Sequence, residues 1–97
     1  MTRNSIRVSY DPYVRILAIE VPRARIVYMH ALFESYDGLA VVRTIDEANG
    51  IISIIATEST EPVCWELLDS ITEFVPWRQV ENLQVDDGLF DYKNIGA

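Results

Sequence analysis

The order of apolar segments predicts an α+β domain, a ferredoxin-like βαββαβ sandwich with one antiparallel sheet and two helices on one face. Three observations carry that expectation. Segments 13–21 and 51–57 are rich in β-branched residues, as strands are. Segments 24–36 and 60–75 repeat apolar residues at spacings of three and four, the signature of a helix with one buried face. Asn49-Gly50 joins two strand-like runs as a hairpin turn. The 97 residues (1–97) read as a single domain, with a core over 13–83 and an acidic C-terminal tail over 84–97. At 49% hydrophobic, the composition excludes an intrinsically disordered chain.

Taken in order, residues 1–12 hold either an extra strand over IRVSY, turned by Asp11-Pro12, or an extension of the strand that follows. Residues 13–21 (YVRILAIEV) form the first core strand and stop at Pro22. Ile26, Met29, Phe33 and Tyr36 place one apolar face on a helix over 24–36, with Tyr36 as its core anchor and Gly38 as its stop. Leu39–Ile45 and Ile51–Thr57 are the hairpin strands. Ser59 or Thr60 caps a second helix with Pro62 in its first turn, and Val63, Leu67, Leu68, Ile71, Phe74 and Val75 form its apolar face before Pro76. Residues 77–83 alternate weakly, as a last edge strand would.

A sheet covered by helices on one side turns its other side to water, where strands alternate to polar residues. Here they do not: Val14, Ile16 and Ala18 oppose Leu17, Ile19 and Val21, while Ile51, Ser53 and Ile55 oppose Ile52, Ile54 and Ala56. Leaving such side chains in water forgoes roughly 1.5 to 3 kcal/mol each. The open face is therefore expected to be covered, either by a second copy in a homodimer or by the tail residues Leu89, Phe90 and Tyr92.

Fifteen acidic against eight basic side chains give a net charge of −7, which opposes binding to nucleic acid. No run approaches the roughly 20 apolar residues of a membrane-spanning helix, and the start, MTRNSIRVSYDP, lacks the apolar core of a secretory signal. The lone cysteine, Cys64, allows no internal disulfide and supplies no metal-ligand pair. A cytoplasmic protein without cofactor or metal is expected.

The run Ile26–Asp46, IVYMHALFESYDGLAVVRTID, resembles the core of a small uncharacterised bacterial domain family of unknown function. The likeness extends from Val14 to Val75. The topology is similar to that of ACT-type regulatory modules. That resemblance implies dimerisation and the binding of amino acids or other small effectors at an interface. Where ACT modules usually place a glycine after the first strand, this chain has Val21-Pro22-Arg23.

Candidate site residues are few. Arg23 and Arg25 stand at the start of the first helix, where free backbone N–H groups and the helix dipole favour an anion; the competing reading pairs them with acids such as Glu58 or Glu61. Arg43 is the third candidate for a small anionic ligand. With Glu34, Tyr36 and Asp37 it could also form an acid-base cluster at the helix-to-strand turn, the basis for an alternative reading as a small enzyme. His30, the single histidine, has no evident nucleophile or second base beside it and reads as a surface or boundary residue. Cys64 reads as core. Trp65 points toward the polar side of its helix with Asp69 and Thr72, as a contact residue or a cover for the tail.

No RNA-binding sheet aromatics, metal-chaperone Cys-x-x-Cys pair or phosphate-cradling glycine loop is present. The expected function is that of a non-enzymatic module acting by self-association or protein docking, with ACT-like binding of a small anionic effector.

Overall fold

The computed structural model describes residues 3–80. Strand β1 (Ile6–Val8) turns through Ser9-Tyr10 into the ten-residue strand β2 (Asp11–Glu20). Asp11-Pro12 thus opens β2 and does not form the expected turn. Pro12 precedes the ladder to the neighbouring strand, which begins at the Val14–Thr57 pair, so its missing N–H removes no bond there. The Asp11 carboxylate accepts the Tyr13 N–H at 3.0 Å.

A 3₁₀ turn, Arg23–Arg25, leads into α1 (Ile26–Glu34); β3 (Val41–Asp46), β4 (Ile51–Thr57), α2 (Glu61–Ser70) and β5 (Arg78–Gln79) follow. The sheet is antiparallel and five-stranded, ordered β1-β2-β4-β3, with β5 also on β2. Because β4 takes one edge of β2, β1 and β5 share the other: β1 pairs as far as Ile16, and β5 takes Ile19 and Glu20. The parallel strands β2 and β3 are separated by antiparallel β4, which is the split β-α-β arrangement of the ferredoxin-like sandwich. The last strand ends here at Gln79, and the expected residues 81–83 and tail 84–97 lie outside the described residues.

One core lies between the sheet and the helices. Leu17, Ile19, Val42, Ile52, Ile54 and Ala56 face Ile26, Met29 and Phe33 of α1 and Cys64, Trp65 and Leu68 of α2. Met29, Phe33, Leu68, Ile52 and Ile54 have no exposed surface. Arg15 shares this face of β2 and reaches the start of α2, where it meets Glu58 and Glu61.

Both helices are shorter than their apolar patterns suggest. The first ends at Glu34, and Gly38 (φ +75°) completes the exit. Position 36 therefore leaves the helical period, and Tyr36 is 49% exposed and no core anchor. The second ends at Ser70; Ile71 and Val75 remain buried, but Phe74 is half exposed. Val63 is also exposed, on the outer side of α2. Thr60 precedes α2 without capping it, because its hydroxyl is engaged by Thr57.

Candidate functional site

The sheet face opposite the helices forms a second apolar cluster: buried Val8 and Ile16, with Ile6, Val14, Ile45 and Ile55 packed against them. Register places Ile6, Ile16, Ile55 and Val41 in one row across four strands, and Ala18, Ser53 and Arg43 in the next. Val41, at the β3 edge, is 48% exposed. Ile16 and Ser53 are fully buried within the single chain and Ala18 nearly so. The expected tail cover, Leu89, Phe90 and Tyr92, lies outside the described residues.

The three candidate arginines do not share a site. Arg23 is exposed in the 3₁₀ turn and pairs with Glu47 across 3.5 Å, while Arg25 lays its guanidinium 4.3 Å from the Phe74 ring centroid. Glu58 and Glu61, the partners expected for them, are taken by Arg15. Arg43 projects from the open face beside Ser53, with its Nε buried. Arg23 and Arg25 lie in the connection from β2 to α1, whereas Arg43 stands on the sheet face opposite the helices.

Glu34, Tyr36 and Asp37 are exposed around the exit of α1. His30 shares a hydrogen bond with Thr44 Oγ1 at 2.9 Å, which ties α1 to β3. Cys64 is buried as expected, and desolvation, with Glu61 adding repulsion, pushes its thiol up to about 11. Burial and a raised pKa suit a packing group.

Trp65 departs from expectation. It is 9% exposed, belongs to the main core, and donates its indole N–H to Glu61 at 3.0 Å. Trp77 packs on it at 6.0 Å between ring centroids, and Arg3 lies over both rings while pairing with Asp69. The helical pattern of α2 could not show this, because the covering groups lie outside the helix, Trp77 beyond Pro76 and Arg3 before β1. Trp77 also lines an open cavity of about 320 Å³ with Glu20, Val21, Pro22, Pro76 and Arg78. Among the described residues, no cluster of His, Cys, Asp and Glu could hold a metal ion, and no helix is long and apolar enough to cross a membrane.

Residues 19–75 match a family described as a domain of unknown function, DUF4911. The chain belongs to the DUF4911 family. The match runs from the end of β2 through the turn after α2, and so takes in α1, the β3–β4 hairpin and α2. It contains the whole of Ile26–Asp46, on which the resemblance rests, and ends at the expected Val75. No curated protein and no solved structure matches this DUF4911 chain.

Proposed function

We propose that this DUF4911 domain is a non-enzymatic module that acts by association through the open face of its sheet, with a second copy as the partner. One observation carries the reading: Val41, at the β3 end of the apolar row Ile6, Ile16, Ile55 and Val41 on the face that neither helix covers, is half exposed, while Ile16 in the middle of the row is buried within the single chain. An apolar strip that reaches solvent at a sheet edge gains free energy when a like surface packs on it. A twofold axis beside Val41 brings two such strips together. The acidic surface keeps the remainder of the molecule from self-association at random. A cytoplasmic setting suits Cys64, which is a buried free thiol.

The effector reading receives less support, because Arg23 already has Glu47 and Arg25 is engaged with a ring. The enzymatic reading receives less still: Glu34, Tyr36 and Asp37 stand in solvent, and His30 is tied to Thr44.

Sedimentation of the full chain at micromolar concentration tests the proposal. A dimer is expected, and Val41→Arg or Ile55→Lys is expected to yield a monomer of unchanged secondary structure. A wild-type chain that sediments as a monomer throughout the micromolar range removes the second copy as partner.

A further inference from the structure

The segment before β1 makes a contact built more like recognition than like packing. Arg3 Nη1 donates to Asp69 Oδ2 at 2.9 Å, and Nη2 donates to the other carboxylate oxygen, so the guanidinium is held in a two-pronged fork. Its carbon lies 5.4 Å from the ring centroid of Trp65 and 5.6 Å from that of Trp77. The two indoles are inclined by 35° and make a wall along the cation. Two aromatic faces and one carboxylate are the chemistry that selects a planar cation over a neutral group.

The wall does not depend on Arg3 for its shape. The Trp65 indole donates to Glu61, while the Trp77 indole donates to the Leu68 carbonyl at 2.9 Å and to Thr72 Oγ1 at 3.1 Å. Asp69 sits on α2, a regular helix, one turn after Trp65. The occupant is carried by residues 3–5, which are outside any strand, and the Asn4 N–H donates to the Gln79 side-chain oxygen at 2.9 Å beside β5. Arg3 keeps 40% of its side chain in solvent. The protein thus presents a preorganised receptor with a tethered, partly solvated ligand, and its net charge of −7 favours the approach of a cationic one.

We propose that Trp65, Trp77 and Asp69 form a guanidinium-binding site that Arg3 occupies in the free protein and that an arginyl side chain of a partner peptide occupies when the N-terminal segment leaves. The segment then acts as a built-in competitor. Tethering by the short segment before β1 gives Arg3 an effective concentration in the mM range, so a free peptide competes poorly until that segment is displaced or its arginine removed. The site is independent of the open sheet face, which lies on the other side of the sheet from α2.

The test uses the full chain and its Arg3→Ala variant, each titrated with an acetylated, amidated Ala-Arg-Ala peptide, its citrulline counterpart and agmatine. The readout is the pair of indole N–H resonances of Trp65 and Trp77. The variant is expected to bind the arginyl peptide saturably and at least about tenfold tighter than wild type does, while the citrulline peptide moves neither resonance. Asp69→Asn in the same background is expected to abolish the response. Agmatine binding as tightly as the peptide assigns the site to small guanidinium compounds and overturns the peptide partner. An absent response in Arg3→Ala, or equal responses to arginine and citrulline, overturns the site itself. If Arg3→Ala fails to fold, Arg3→Gln is titrated instead. Loss of folding in both makes Arg3 a structural residue and likewise overturns the proposal.

Discussion

Gly50 stands directly against the backbone of Val21: its carbonyl accepts the Val21 N–H at 2.8 Å, and a β-carbon on it would lie 1.9 Å from the Val21 oxygen. Its φ of +71° is left-handed as well. The residue that ends the hairpin turn therefore also sets how closely that turn approaches the end of β2. Gly50→Ala is expected to cost about 3 kcal/mol, combining backbone strain with a collision that rigid main chain cannot relieve. Urea unfolding measures it, and a loss below about 1 kcal/mol would contradict this geometry. Gly38 provides the internal contrast. It has a similar φ but nothing within 4 Å of the added carbon, so Gly38→Ala pays only the conformational cost, about 1 kcal/mol.

Arg15 is the charged residue at the edge of the main core. Its side chain is 7% exposed and donates to the Pro12 carbonyl at 2.6 Å, the Val14 carbonyl at 3.0 Å and Glu58 at 3.2 Å. Arg15→Ala is expected to destabilise the fold by roughly 2 to 4 kcal/mol, because it removes a buried side chain that holds two backbone carbonyls and leaves its space empty. Glu58→Gln changes little, since that carboxylate is 64% exposed and the ion pair is screened. Equal losses for the two variants in chemical denaturation would mean that the ion pair, not the carbonyl contacts, holds Arg15.

Cys64 should be silent toward thiol reagents in the native state. With its thiol raised from 9.0 to about 11, little thiolate exists at pH 8, and the side chain has no exposed surface. Labelling is expected to proceed only as fast as global unfolding, checked by comparing its rate with that of urea-jump unfolding. The same shift sets a pH dependence. The folded state holds the proton more tightly than the unfolded state, so this contribution is full below pH 9 and is lost as pH rises toward about 11.

Two aspartates contribute to the acid limb. Hydrogen bonds from the Asn49 side chain and backbone hold the Asp46 carboxyl below the usual carboxylate range, and the bond from Arg3 does the same for Asp69. Each contributes stability that is present above the unfolded aspartate value and lost as pH falls through the lower folded value. Carboxyl carbon titration is expected to place both midpoints below that of an ordinary aspartate. Asn49→Ala should return Asp46 toward normal and leave Asp69 alone, whereas Arg3→Ala should do the reverse.

Much of the fold was legible because period-two and period-three-to-four patterns are local properties of the chain. The hairpin at Asn49-Gly50, the stop at Gly38 and the burial of Cys64 followed from single residues and their neighbours. Misread positions cluster where an element ends or where distant groups meet. Tyr36 and Phe74 continue an apolar period past the last helical residue, so the pattern counted them as core although the backbone had already turned away. Helical spacing alone places Trp65 on the polar side of its helix, because it carries no information about Trp77 and Arg3, which pack on it.

The candidate site was less legible than the fold. Three arginines could be named from local charge, but whether they converge depends on which side of the sheet each reaches, and they do not converge. The row across Val41, Ile55, Ile16 and Ile6 was only half visible: the apolar faces of the individual strands were evident, but their register was not.

The sequence by itself determined the element order, the two apolar faces of the strands and the acidic surface, because side-chain alternation and charge are written residue by residue. Only the tertiary structure decided which face receives the helices, where β1 and β5 share an edge of β2, and that Arg3 meets Trp65, Trp77 and Asp69. Those outcomes depend on strand pairing and on packing between segments far apart in the chain, and no local pattern encodes them.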